Sequence, residues 1–415
     1  MVRTVGTRQM SGFGGVPIMD RRLFLASLAA SPFVHSTAVA QKKKDTVLDA
    51  AVERGLEALK KQQMQDGHWE SPGGYYPTSV TAVAGMAMLM EGSNLREGKY
   101  SDQLQKAVNW FLAPARTRAN GLLGNVDSQT ESHRYTYGHG FGTMFLASIY
   151  GEEEDKEQRK KLETVLTKAV DCTVKMQTSK KHALAEGKTI EIGGWGYVSA
   201  ADSGSGGFDE GSCTVPQIQA LRAARNAGIK VPKEAIDKAD AYLDACTTND
   251  GGIVYNYTGN SRGGQGRPPL TAAALACGLG TGKFTEAIRI MGGKNPPKGQ
   301  DRPSIVRWFE YCKKNIPIGK GRVGHQEYMM YYYAQAMYAL GDDRYALLFP
   351  GEPKDSHLTW TKFKEALFPT ILETQDKASG AWTGGGDWGI GATFVTAINL
   401  CILQLEKGII PIYQR

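Results

Sequence analysis

Arg54-Gly55-Leu56-Glu57-Ala58-Leu59-Lys60-Lys61-Gln62-Gln63-Met64-Gln65-Asp66-Gly67-His68-Trp69 contains the end of a helix, then a glutamine, a glycine and a tryptophan. Apolar residues at Val47, Leu48, Ala51, Leu56 and Leu59 follow helical spacing over residues 45–65. Gly67 can adopt positive φ and turn the chain back, so that Trp69 folds over the Gln63 amide and covers the next helix end. The same register recurs as Lys238-Ala239, Tyr242-Leu243, Thr247 and Gly251-Gly252-Ile253. It returns one residue longer as Ile371, Gln375 and Gly380-Ala381-Trp382, and more loosely as Lys168-Ala169, Gln177 and Gly193-Gly194-Trp195, with a long insertion between. One such set would be chance. Several, each following an amphipathic helix, make an internal repeat.

Outward from these corners the chain alternates between two kinds of helix, with no convincing strand. Charged amphipathic stretches lie near 45–65, 101–113, 154–177, 232–246, 302–315 and 359–375, and small or apolar ones near 78–90, 138–150, 212–227, 269–279, 326–340 and 391–405. A helix that is apolar nearly all round is buried, and one with a polar face lies outside. Six of each predict an all-α fold: an (α/α)6 toroid of six helical hairpins in inner and outer rings.

Composition agrees with a well-cored globular chain, at 415 residues with 41% hydrophobic and 22% charged side chains. Lys plus Arg is 49 and Asp plus Glu is 42, a net +7. Residues 1–40 hold Arg3, Arg8, Arg21 and Arg22 against Asp20, so +3 of the +7 sits there and +4 remains over the other 375 residues. Cations do not gather on one segment, which argues against a nucleic-acid partner. No apolar run is long enough to span a membrane.

Those first forty residues read as an export address. Arg21-Arg22-Leu23-Phe24-Leu25 precedes the apolar run Ala26 to Val34, then Ala38-Val39-Ala40 before Gln41. The arginine pair resembles a twin-arginine signal, and Met19 just before it suggests that residues 1–18 come from a misassigned start. The division is therefore 1–40 as signal and 41–415 as a single toroid domain, in a bacterial periplasm or at the cell surface. Cys172, Cys213, Cys246, Cys277, Cys312 and Cys401 show no C-x-x-C spacing and fall among apolar helix neighbours, so they are expected as buried free thiols.

The repeated segments resemble the QW repeats of squalene and oxidosqualene cyclases, within the wider terpenoid-cyclase and protein-prenyltransferase toroid superfamily, over most of residues 45–410. The stretch Gln217 to Gly228 also resembles exported, cyclase-like repeat proteins of bacteria. These likenesses imply a central cavity at the N-terminal ends of the inner helices and a hydrophobic or polyprenyl ligand. In cyclases resembling this chain an acid opens an inner helix; here Gly211-Ser212-Cys213-Thr214-Val215 occupies that place, with Ser212 at the acid position. A serine hydroxyl cannot protonate an alkene. Asp209 and Glu210, just upstream, are the replacement acid candidates.

Asp171-Cys172-Thr173 spells the oxidosqualene cyclase trio but lies along an outer helix. Prenyltransferase-like zinc binding needs three converging ligands, and Asp209, Cys213 and His325 are too scattered, so neither metal nor cofactor is expected. The cavity wall draws on Tyr137 and His139 at the fourth helix, on His325, Tyr328, Tyr331 and Tyr332 at the tenth, and on Asp387 at the last. Tyr328, Tyr331 and Tyr332 share one helical face. Such faces bind prenyl chains, cations or sugar rings. Three functions follow: polyprenyl cyclisation or isomerisation; a non-catalytic scaffold for lipid, glycan or peptide; and a glycan-acting enzyme, for which Tyr137, His139, Arg267 and His325 would converge.

Overall fold

A stripe of Ala51, Val52, Gly55, Leu56 and Leu59 buries one face of α1 (Thr46–Gln62), whereas every residue from Pro77 to Met90 of α2 (Pro77–Glu91) is buried. That contrast repeats along the chain. The computed structural model describes residues 46–184, 187–201, 208–257, 264–280, 282–384 and 390–414. The expected export segment lies outside them. Outer helices are α1, α3 (Ser101–Leu112), α5 (Lys156–Met176), α7 (Lys233–Ala245), α10 (Ser304–Asn315) and α13 (Trp360–Glu373). Inner helices are α2, α4 (Tyr135–Ile149), α6 (Gly211–Asn226), α8 (Pro268–Gly280), α11 (Gln326–Leu340) and α14 (Gly391–Leu403). Each inner helix packs on the next, and α14 returns to α1 and α2, so the ring closes.

The corners hold the ring together. Gln63 Nε2 donates to Gly67 O at 2.8 Å and to Gln103 O of α3 at 2.9 Å, while the Trp69 indole N–H donates to Leu59 O at 2.7 Å. Gln177 reaches Gly193 O and Ala235 O of α7, and Trp195 reaches Thr173 O. Gln375 reaches Gly380 O and Ala51 O of α1, and Trp382 reaches Ile371 O. In each set the indole donates to a carbonyl of the outer helix's last turn, where the i→i+4 ladder runs out. The glutamine amide ties that helix to the next outer helix, and the last of these ties joins α13 back to α1.

Glycine is required where the corner touches its neighbour. At Gly67 (φ 100°) an added Cβ would stand 2.5 Å from Lys106 O, and at Gly380 (φ 76°) 2.5 Å from Arg54 O. Gly121, Gly251 and Gly319 make the same approach to Lys168 O, Arg307 O and Ala366 O. The corners at Gly121 and Gly319 lack both glutamine and tryptophan, which is why the sequence repeat passes over them.

Three features depart from the reading of twelve helices in six pairs. The insertion after α5 folds on itself as β1 (Lys180–Ala183) and β2 (Thr189–Ile192), an antiparallel pair with Lys180 opposite Ile192. Strands of four residues are too short and too exposed to leave a clear alternation. Two short helices, α9 (Lys283–Met291) and α12 (Tyr345–Leu348), fill connections between hairpins. Beyond α14 the chain passes the end of α2, where Gln404 Nε2 donates to Ala87 O, and then turns inward. Residues Pro411–Tyr413 pack against α6 and α11 inside the ring.

Candidate functional site

Three extended segments are stitched onto the N-terminal ends of α4, α6 and α8. Thr136 N bonds Tyr197 O, Glu210 N bonds Trp195 O, Gly211 N bonds Tyr255 O, and Arg267 N bonds Ile253 O. Residues 195–197, 208–211 and 253–255 therefore form one rim of the mouth.

Glu210 is extended (φ −154°, ψ 157°), so its side chain and that of Asp209 leave the backbone in opposite directions. Glu210 is fully buried and caps α6, accepting from Ser212 N at 2.9 Å and Cys213 N at 2.7 Å. Ser212 Oγ donates to both of its oxygens at 2.6 and 2.8 Å, and Tyr137 Oη adds a bond at 3.2 Å. The Tyr137 and Ser212 hydroxyls also touch each other. Glu210 is thus an acceptor in every contact, the role of a helix cap rather than of a proton donor aimed at an alkene. Asp209 turns away and is held by Thr178 Oγ1 at 3.0 Å and by the Lys180 ammonium, while its Oδ1 is enclosed without a partner. Neither candidate acid faces an open hollow.

The other expected wall residues separate into three groups. Tyr137 is the one α4 residue that is not fully buried, and burial, followed by the neighbouring Cys213 and Glu210, pushes its hydroxyl pKa well up, so it serves as a hydrogen-bonding hydroxyl. Tyr328 Oη crosses the ring to Ser212 O at 3.1 Å. Deeper, Tyr331 Oη meets Tyr413 Oη at 2.6 Å, and Tyr332 packs edge-on against both Tyr328 and Tyr331, its own hydroxyl enclosed without a partner. Below them Gln219 Nε2 donates to Gln335 Oε1 at 2.8 Å, a second bridge from α6 to α11. These side chains cross the space that the resemblance implied as a cavity and bridge α6 to α11.

His139 does not line it. Nδ1 accepts from Leu123 N at 3.1 Å, and Nε2 faces Thr173 Oγ1 at 2.9 Å and Ala169 O on α5, so the ring joins inner to outer helix. Burial depresses its pKa to about 4. His325 is exposed at the start of α11 in left-handed conformation (φ 61°). Cys213 is buried beneath Glu210, with its thiol pKa raised well above the usual range by burial. All six cysteines are buried, and none is in a disulfide. Asp387 lies outside the described residues, and among those described no three His, Cys, Asp or Glu side chains gather as a metal site.

What the sequence reading passed over is the aromatic rim. Tyr197 Oη and Tyr255 Oη share a 2.5 Å hydrogen bond, and the Phe208 ring sits 5.8 and 6.0 Å from their centroids, 37% exposed. Arg134 lies 4.8 Å over Tyr197, and Arg267 lies 4.6 Å over Tyr255. Tyr197 follows Trp195 by two residues, as Tyr255 follows Ile253. The repeat register itself placed these rings together, two residues past the corner.

No protein-family model matches the chain, and a search of the curated proteins returns no match. Among solved structures, an inactive variant of an α-1,6-mannanase of Salegentibacter sp. HEL1_6, in complex with alpha-1,6-mannotetrose, superposes with a TM-score of 0.55 at 9% identity, over 87% of this chain and 99% of that one. A glycosidase variant gives 0.50 at 11% identity, over 88% and 98%. A type II terpene cyclase from Scytonema in complex with geranylgeranyl dihydroxybenzoate gives 0.46 at 15% identity, over 88% and 98%, a likeness too weak to argue from. At such identities the likeness speaks to fold alone, and with the closed double ring described above it makes this chain an all-α helical toroid.

Proposed function

We propose that the chain is a saccharide-binding toroid, exported by the signal at its start, with its site at the mouth formed by α4, α6 and α8. The observation that supports this reading is the set of bridges across the ring. Tyr328 and Gln335 bridge α11 to Ser212 and Gln219 of α6, and Tyr413 occupies the space beneath. A polyprenyl chain calls for a deep, dry pocket, commonly about 300–1,000 Å³ for a ligand of that size. At the rim, by contrast, rings and hydroxyls alternate, which suits a sugar, polar at its edges and apolar on its ring faces. Titration calorimetry of the exported chain against a panel of neutral and acidic oligosaccharides tests this, with farnesyl and geranylgeranyl substrates as the contrast. Binding of at least one saccharide, weakened about tenfold by F208A through loss of one stacking face, is the expected result. Uptake or turnover of a prenyl substrate with no saccharide binding would refute it.

A second reading, cleavage of the bound saccharide, is favoured by the relay from Tyr137 through Ser212 to Glu210. Hydrolysis uses two facing carboxyl groups, typically about 5–10 Å apart. Only one of a possible pair, Glu210, is in this relay, so binding takes precedence. Release of reducing ends that E210Q abolishes while binding persists would reverse that order.

A further inference from the structure

Arg134 and Arg267 both stand over rings of the aromatic rim. Arg159, Arg302 and Arg322 pair with Glu153, Glu310 and Glu327. Neither Arg134 nor Arg267 has a carboxylate at ion-pair distance among the described residues. Each guanidinium carbon instead lies over a rim tyrosine, 4.8 and 4.6 Å from the ring centroid, and the two tyrosines are joined by their hydroxyls. The ring's attraction holds each guanidinium near the tyrosine while leaving its N–H groups without an acidic partner among the described residues. Arg134 also occupies the N-cap of α4, a helix end with no side-chain cap, where the helix field favours an anion. Among the described rim residues two carboxylates could neutralise them: Asp209 is held by Lys180 and Thr178, and Glu210 is buried and already engaged by Ser212, Cys213 and Tyr137.

We propose that the mouth selects an acidic saccharide, one bearing carboxylate or sulfate-ester groups. Arg134 and Arg267 receive the anions, and the exposed ring of Phe208 receives a sugar face between them. The inference rests on the saccharide-binding reading and sharpens it. Fixed guanidinium forks match the planar oxygens of carboxylates and sulfates through paired N–H···O contacts, and pre-placed side chains lose little entropy on binding.

The test measures calorimetric affinity of the exported chain for three probes: oligogalacturonate, a sulfated galactan oligosaccharide and neutral mannotetraose. Expected is a preference of about tenfold or more for an acidic probe, falling as salt rises, with R134Q and R267Q each costing about tenfold. R134K, which keeps the charge but not the fork, should recover part of the loss. The better of the two acidic probes identifies the anion. Equal, salt-insensitive affinity for acidic and neutral probes would overturn the selection while leaving saccharide binding intact. Failure of all three probes, with the variants folded by circular dichroism, would overturn both.

Discussion

Ring closure can be broken at one residue. Gln375 Nε2 donates to Ala51 O and to Gly380 O, both at 2.8 Å, and its Oε1 accepts from Arg54 at 2.8 Å, so this single side chain joins α13 to α1. Gln375→Leu keeps the volume and removes all three bonds. Gly380 O is then left without a donor, at about 1–3 kcal/mol. Ala51 O keeps its intrahelical bond, and the lost ties to it and to Arg54 add about 0.5–1.5 kcal/mol each, so the change should cost about 3–4 kcal/mol. For a chain of this size that is a fall of about 5 °C in midpoint temperature. Gln63→Leu, which cuts the equivalent tie from α1 to α3, supplies the comparison. In a closed ring the two variants cost about the same, because each cuts a bond between packed neighbours. In an open superhelix α1 and α13 would be fraying ends, and Gln375→Leu would cost under about 1 kcal/mol while Gln63→Leu kept its full effect. Urea unfolding by linear extrapolation measures both, and hydrogen exchange should show residues 46–62 and 360–373 loosening together in the Gln375 variant. A difference of more than about 2 kcal/mol between the two would refute the closed ring.

Other consequences can be measured with the same equipment. His139 stays neutral in the fold down to about pH 4, whereas the unfolded chain protonates it near pH 6.5. The unfolded state therefore binds the extra proton between those values, and stability that is complete above pH 6.5 should fall by about 2.5 kcal/mol on going to pH 4.5. His139→Asn should remove that component of the pH dependence, and an unchanged slope would contradict the buried neutral ring. Gly67→Ala and Gly228→Ala both place a side chain at positive φ, but only the first meets a carbonyl, at 2.5 Å. Gly228→Ala should cost about 1 kcal/mol, and Gly67→Ala should exceed it by about 2 kcal/mol. Equal losses would mean that the corner does not press on Lys106. Tyr413→Ala should cost about 3–5 kcal/mol, the range for an aromatic side chain lost from a core, and a loss below about 1 kcal/mol would show that Tyr413 does not pack inside the ring.

How far each part was legible follows the range of the interaction behind it. The alternation of helix character was plain, because an inner helix such as α2 has no polar face to spare and an outer helix such as α1 must keep one. Corners built on Gln63, Gln177 and Gln375 were visible because one residue type performs one bond at each. Those at Gly121 and Gly319 were not, since there only backbone approach is repeated and only glycine is demanded. Tyr197 and Tyr255 shared a register that could have been noticed. Arg134, by contrast, reaches Tyr197 from 63 positions away in the chain.

The hydrophobic pattern alone therefore determined the twelve helices of the ring (though not the short α9 and α12), their inner or outer place and the closed double ring, because burial in an α/α layer is written along each helix at its own period. Whether the ring would hold a cavity was decided only in three dimensions. Ser212, Gln219, Tyr328, Gln335 and Tyr413 come from segments far apart in the chain, and nothing in their spacing says that they meet on the axis. The same is true of the acids. Asp209 and Glu210 are adjacent letters of equal promise, yet an extended backbone sends one to Lys180 and the other to the cap of α6, and that divergence supports the proposal of a site at the mouth rather than in the hollow.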